Sequence, residues 1–165
     1  MNRVPLIDRN ATSVERKQTL DAIHAAFGAT PAMFRAVANS PAALNSMWGS
    51  FAALGGGAIG ARLGEQIAVA IANRNACNYC LAAHTALGMK AGMSAEVMAA
   101  AQAGESSEPK TRAALQFALK LVEQRGQVDA ADVENVRKAG FNDEEIVEIL
   151  AHVALNLFTN YVNIA

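Results

Sequence analysis

The chain has 165 residues, a net charge of −1 and 52% apolar residues. This length is sufficient for one domain with a sizeable core, and we expect that single domain to span residues 1–165. The near-zero charge and the lack of any run of Lys or Arg argue against nucleic acid or an anionic membrane as a partner. The first residues, MNRVPLIDRN, contain no apolar segment of signal-peptide length, so we expect a cytoplasmic protein without a membrane anchor.

Helical patterns follow one another along the whole chain. The predicted helices span residues 13–27, 31–39, 41–54, 61–73, 77–92, 94–102, 109–124, 129–139 and 142–163. Gly28 ends the first, Thr30 caps the second with Pro31 at its first position, and Asn142 with Glu145 forms a capping box on the last. No alternating strand pattern of useful length appears, and the Ala-rich and Leu-rich composition suits packed helices, so the sequence predicts an all-α fold.

The longest uncharged stretch runs from Ala36 to Ala61. Asn39, Pro41 and the Gly55–Gly57 triplet argue against a continuous lipid-facing helix. A buried or intersubunit helix fits better, and this much apolar helix predicts a homo-oligomer. Within the stretch, Trp48 and Phe51 could form an aromatic wall for an apolar substrate, but packing is the favoured interpretation.

Gly55, Gly57 and Gly60 spell the dinucleotide-binding pattern G-x-G-x-x-G. That pattern requires a strand before it and an acidic residue about 20 positions later. Here the preceding segment is helical and position 80 is a cysteine, so we predict no nicotinamide or flavin site. A helix break that places the next helix is the favoured interpretation.

Cys77 and Cys80 are the only cysteines, and His84 follows them at helical spacing. Offsets of i, i+3 and i+7 place the three side chains on one face of a helix. The thiols fall in its first turn, where the positive end of the helix dipole favours thiolate over thiol. His84 lies one turn beyond Cys80, where it can accept a proton.

Glu65 belongs to the preceding apolar segment, EQIAVAIA, which ends in the polar cluster of residues 73–75. If that cluster turns the chain into an antiparallel helix hairpin, residues equidistant from it lie side by side. The midpoint between positions 65 and 84 falls within the cluster, so Glu65 is predicted to face His84. A carboxylate that orients an imidazole beside a nucleophile is the arrangement of catalytic triads.

Other interpretations of the two cysteines remain open. Zinc would need a fourth ligand, for which His24, His152 and the carboxylates remain, and no second C-x2-C pair is present. A structural disulfide would close a very short loop, and buried thiols could act as small hydrophobic groups. Each lone histidine is interpreted as a packing or surface residue, although the final helix, with His152, could lie against the hairpin. The four-residue group favours redox chemistry, with no metal or other cofactor.

The segment LGEQIAVAIANRNACNYCLAAHTALGMKAGMS, within residues 62–94, resembles the core of the alkylhydroperoxidase AhpD family in the carboxymuconolactone decarboxylase superfamily. The resemblance implies a helical domain and hydroperoxide reduction, with Cys80 as the peroxidatic thiol and Cys77 as the resolving thiol. The resemblance also implies that His84 and Glu65 form the proton relay. It also implies a lipoyl-type or thioredoxin-like dithiol reductant, and assembly into trimers or hexamers.

One position departs from the family pattern. The best-known members carry a second His between the cysteines, where this chain has Tyr79, so the resemblance assigns that position no proton-transfer role.

Two other functions use the same fold or motif. One is a carboxymuconolactone decarboxylase-type lyase, which does not rely on a C-x2-C pair, and the other is a non-catalytic redox sensor whose disulfide controls partner binding.

Overall fold

The computed structural model describes residues 3–165, and this part of the chain consists of nine helices and their connections, without a strand. The helices are α1 (Val14–Phe27), α2 (Ala32–Val37), α3 (Pro41–Gly55), α4 (Gly60–Arg74), α5 (Asn78–Lys90), α6 (Ala95–Gln102), α7 (Pro109–Glu123), α8 (Ala130–Lys138) and α9 (Asp143–Ile164). The all-α fold that the sequence predicted is confirmed.

Most helix starts lie where the sequence placed them. Ser40 accepts the Ala43 N–H at the start of α3, and the capping box between Asn142 and Glu145 is present on α9. The start of α2 was predicted one residue too early. Pro31, not Thr30, is its cap, because the Pro31 backbone is extended at ψ 147° and its carbonyl accepts the first helical N–H groups.

Helix α4 is the centre of the larger hydrophobic core. Every residue from Gln66 to Ala72 is buried, because α5, α6, α7 and α9 pack around α4. Large side chains from the surrounding helices complete this core, among them Met98, Leu115 and Ile149. The hairpin that carries the predicted site is therefore anchored on one side by the most enclosed helix of the protein.

A second, smaller core joins α1, α2 and α3 to the C-terminal half of α9. Leu20, Phe34, Leu44 and Met47 lie in it, and Leu155 of α9 contributes from the other side. Helix α9 therefore belongs to both cores, since its earlier residues pack against α4 and α7. This double anchoring fixes the position of α9 beside the α4–α5 hairpin.

The uncharged stretch from Ala36 to Ala61 is mainly α3 and packs its large side chains within the chain. Leu44 and Met47 are buried, Trp48 and Phe51 are partly buried, and the exposed positions are mostly Ala, Ser and Gly. Within residues 3–165, no helix combines the length and the apolar character that crossing a membrane requires.

Candidate active site

The turn between α4 and α5 delivers Cys77 to the beginning of α5. Ala76 adopts a left-handed backbone at φ 54°, and the Cys77 N–H donates to the Ala72 carbonyl at 2.9 Å. The predicted helix began at Cys77, but the helix itself begins at Asn78. Cys77 is its cap, because its φ and ψ of −85° and 85° are not helical. Cys80 lies in the first turn, as the spacing predicted.

Cys77 and Cys80 are joined by a disulfide, with their Cα atoms 5.3 Å apart. Both residues are 3% exposed. The Cys80 N–H donates to Cys77 Sγ at 3.4 Å, so the sulfur occupies the position of a capping acceptor at the positive end of α5. The two thiols can therefore interconvert between dithiol and disulfide without any large movement of the backbone.

Glu65 and His84 form a hydrogen-bonded pair across the hairpin. Glu65 Oε2 and His84 Nδ1 are 2.8 Å apart, and both side chains are largely shielded from solvent. The juxtaposition is the one that counting from the turn predicted. Because a carboxylate oxygen accepts, Nδ1 donates, and Nε2 of a neutral ring is then left as a proton acceptor. Among the described residues, neither sulfur forms a hydrogen bond with His84.

A cavity of about 110 Å³ lies beside this pair and brings His152 of α9 to it. Its lining includes Phe51, Gly64, Glu65, His84 and His152. The His152 ring packs on α4 where Gly64 has no side chain. The sequence had indicated a packing or surface role for this histidine, but α9 does lie against the hairpin and carries it to the candidate site.

The charge of His152 is governed by its burial. Loss of hydration lowers the pKa of His152 from its ordinary value, and the nearby His84 acts in the same direction. Glu148 and Glu65 oppose the shift but do not reverse it. His152 Nε2 is buried without a hydrogen-bond partner among the described residues. His152 therefore lines the cavity as an imidazole that is neutral at neutral pH.

The glycine-rich segment before α4 accommodates a carboxylate. Glu148 accepts the N–H groups of Ala58 at 2.8 Å and Ile59 at 3.0 Å, and these two bonds lower the pKa of Glu148. A Cβ at Gly57 would lie 2.6 Å from a Glu148 oxygen, so the carboxylate can keep this position only while residue 57 has no side chain. The segment follows helix α3 and leads into α4, as predicted for a helix break and unlike a dinucleotide fingerprint.

A row of polar residues on α9 faces the hairpin, and sequence reasoning did not identify it. Its members are Asn156, Thr159, Asn160 and Asn163, which follow His152 at helical spacing on one face. Asn163 Nδ2 lies 3.4 Å from Cys80 Sγ. The sequence did contain a signal for this row, namely several amide side chains on one face of a strongly apolar helix. Buried amides need hydrogen-bond partners, so such a face is expected to meet other polar groups.

Asn160 connects this row to the turn that precedes the cysteines. It is completely buried, and its Oδ1 accepts the side-chain N–H of Asn75 at 3.0 Å. The bond joins residues 85 positions apart in sequence. It fixes α9 relative to the turn, and so relative to the disulfide.

The remaining sequence expectations concern residues away from the disulfide. His24 bonds the Thr30 hydroxyl at 3.2 Å, a packing role of the predicted kind, and Trp48 packs edge-on against Phe34. Phe51 also packs against Phe34, yet it lines the cavity as well. Between residues 3 and 165, no three His, Cys, Asp or Glu side chains stand close enough to hold a metal ion.

Two solved structures share both fold and detectable sequence with the chain. A peroxidase-related protein with an alkylhydroperoxidase AhpD core from Ralstonia eutropha JMP134 is 30% identical, with a TM-score of 0.79 over 96% of this chain and 86% of that one. A peroxidase-related protein from Silicibacter sp. TM1040 is 25% identical, with a TM-score of 0.80 over 98% and 84%.

A third structure shows similarity of fold alone. It is a cysteine-to-alanine variant of the debrominase Bmp8 in complex with 2,3,4-tribromopyrrole, 18% identical, with a TM-score of 0.83 over 99% of this chain and 89% of that one. No curated protein sequence matches the chain significantly. The model of the carboxymuconolactone decarboxylase family matches residues 39–124, which include the whole hairpin. The chain therefore belongs to the carboxymuconolactone decarboxylase family and has an AhpD-like helical fold.

Proposed function

We propose that the protein is a thiol-dependent peroxidase that reduces hydroperoxides through a cycle of its Cys77–Cys80 dithiol and disulfide. The observation that carries the proposal is a disulfide one helical turn from a histidine whose ring is held by a carboxylate. A structural disulfide closing so short a loop would restrict the unfolded chain little. Similarity in sequence and fold to two proteins described only as peroxidase-related also favours peroxide chemistry.

The first step uses Cys80 as the nucleophile. The Cys80 thiolate attacks the distal oxygen of the hydroperoxide, an S–O bond forms, and the O–O bond breaks with its electron pair moving to the leaving oxygen. Addition of one proton to that oxygen releases an alcohol or water. Cys80 is left as a sulfenic acid.

The second step closes the disulfide. Cys77 attacks the Cys80 sulfur, the S–S bond forms, and hydroxide leaves and takes a proton to become water. The sulfurs are already placed for this bond, since they are joined in the structure. An external dithiol then reduces the disulfide and is itself oxidised, and we propose a lipoyl-type or thioredoxin-like donor.

We assign His84 and Glu65 the proton transfers of the cycle. His84 Nε2 accepts the proton of the Cys80 thiol through a water molecule or a small movement of the ring, and the resulting imidazolium protonates the leaving oxygen. Glu65 holds the ring in the required tautomer and stabilises its charged form. His152, across the cavity, supplies a further neutral imidazole next to the pair.

A steady-state assay tests the proposal. Reduced protein is mixed with hydrogen peroxide, small alkyl hydroperoxides and lipid hydroperoxides, each with dihydrolipoamide, reduced thioredoxin or glutathione as donor. We expect catalytic turnover with at least one dithiol and none after Cys80→Ser. A single oxidation without turnover with any donor would favour a redox sensor.

Two further substrates test the alternative reactions known from proteins of this fold. Turnover of a carboxymuconolactone that is unaffected by Cys77→Ser would favour a lyase. The second substrate is 2,3,4-tribromopyrrole, the compound bound to Bmp8. If the protein debrominates it and does not turn over peroxide, hydroperoxides are not its substrate class.

A further inference from the structure

The side-chain amide of Asn163 reaches the sulfur to which the first chemical step is assigned. Its Nδ2 lies 3.4 Å from Cys80 Sγ, 3.2 Å from Met33 Sδ and 3.0 Å from the Thr159 carbonyl oxygen. All three neighbours accept hydrogen bonds, and none donates. The amide nitrogen, rather than the amide oxygen, must therefore face them.

The two N–H groups of this amide have different partners. One donates to the Thr159 carbonyl one turn earlier in α9, which orients the side chain. The other is left for the sulfurs of Cys80 and Met33. The bond from Asn75 to Asn160, one turn before Asn163, holds this end of α9 against the turn that leads to the disulfide.

Burial makes this donor important for a reduced Cys80. The residue is 3% exposed, so water provides little stabilisation of a negative charge on its sulfur. A hydrogen bond to a charged acceptor is stronger than one to a neutral acceptor. The Asn163 N–H therefore stabilises a Cys80 thiolate more than it stabilises the disulfide sulfur.

We propose that Asn163 is a catalytic residue whose side-chain N–H stabilises the Cys80 thiolate and thereby makes the Cys77–Cys80 disulfide easier to reduce. The inference rests on the proposed function only in using the dithiol–disulfide cycle. It also distinguishes the two thiols, because the donor to Cys77 Sγ is the backbone N–H of Cys80, which substitutions at Asn163 leave in place.

Titration of a single thiol tests the first half of the proposal. In a Cys77→Ser background, the ultraviolet absorbance of the Cys80 thiolate is followed with pH for Asn163, Asn163→Leu and Asn163→Asp. Leu has a similar volume without a donor, and Asp keeps the shape but loses the N–H groups. We expect Asn163→Leu to lower the Cys80 thiolate fraction at neutral pH by about tenfold. Asn163→Asp should lower it further, because its carboxylate adds a negative charge beside the sulfur. Met33→Leu, which removes the competing sulfur and keeps the donor, is the matched control and should not lower it.

Equilibration with glutathione tests the second half in protein that retains both cysteines. Removing the N–H should shift the equilibrium about tenfold toward the disulfide. For a two-electron couple, this shift makes the reduction potential about 30 mV more negative. Thiolate fraction and redox equilibrium within twofold of the starting protein, in variants with unchanged helical spectra, would overturn the proposal.

A measurement without any substitution at Asn163 keeps the proposal testable if the variants do not fold. The side-chain amide NMR signals of Asn163 in the reduced protein should shift with pH at the midpoint of Cys80 ionisation. Signals that stay constant through that midpoint would refute the contact. None of these measurements uses peroxide, so their outcome and that of the peroxidase assay are independent.

Discussion

The His152 ring occupies the space that a side chain at Gly64 would fill, because a Cβ there would lie 2.9 Å from His152 Cε1. The ring can keep this position only while residue 64 carries no Cβ. The position of the His152 ring at the candidate site therefore depends on a residue of the central helix, Gly64, that is remote from it in sequence.

Replacing Gly64 by alanine should therefore bring little stability. Alanine in a helix interior is favoured over glycine by about 1 kcal/mol, but at this position the His152 ring must move. Gly49→Ala on α3 is the matched control, since no atom lies within 4 Å of a Cβ placed there. We expect urea denaturation to show a gain of about 1 kcal/mol for Gly49→Ala and a much smaller gain, or a loss, for Gly64→Ala. Equal gains would contradict the close contact.

The burial of His152 predicts a pH dependence of stability. Burial lowers the pKa of His152 below its ordinary value of 6.5. Between that value and the lower folded one, the unfolded chain binds more protons, so the free energy of unfolding falls as pH decreases below about 6.5. Urea midpoints from pH 8 to pH 5 should show a shallower fall for His152→Asn than for the starting protein.

His24→Asn is the control for that series, because it removes a histidine of α1 that does not line the cavity. A series in which the His152 variant loses stability with acid as steeply as the starting protein would show that His152 does not cause the dependence.

The Glu65 and His84 pair should matter for rate more than for folding. We expect Glu65→Gln and His84→Ala each to slow peroxide reduction by about 100-fold or more, the usual scale of general acid–base catalysis. Glu134→Gln, on the surface of α8, serves as the control. Circular dichroism and size-exclusion chromatography should show unchanged proteins, and near-normal turnover in both pair variants would exclude the proton relay.

Cys80 should be the faster thiol in alkylation. It combines a side-chain donor from Asn163 with a histidine one turn away, whereas Cys77 receives only a backbone N–H in the described structure. Reduced protein treated with iodoacetamide over a pH series, and analysed by peptide mass spectrometry, should show earlier labelling of Cys80. Faster labelling of Cys77 at neutral pH would reverse the assigned roles.

Self-association is predicted, and the structure offers a surface for it. Several large apolar side chains of α9 are exposed, among them the neighbouring Val147 and Leu150, while the exposed part of α3 consists mostly of small residues. We expect light scattering to show a homo-oligomer, a trimer or hexamer. The double substitution Val147→Glu and Leu150→Glu should lower its mass. Val14→Glu on α1 should leave the mass unchanged, and a monomeric starting protein with full activity would refute the prediction.

The sequence by itself determined the features that depend on short-range spacing. Asn142 marked the start of the last helix because its side chain accepts the N–H of Glu145, three residues ahead. The contact of Glu65 with His84 could also be predicted, because a tight hairpin relates positions by counting from its turn. The start of α2 was misplaced because a proline fits both the cap and the first helical position.

Only the tertiary structure decided which residues α9 brings to the hairpin. His152 reaches Gly64, and Asn163 reaches Cys80 across 83 positions of sequence. These contacts depend on the rotation and height of α9, which are set by its packing in both cores at once. Helical periodicity shows that the amides of α9 share a face, but it contains no information about which helix that face meets.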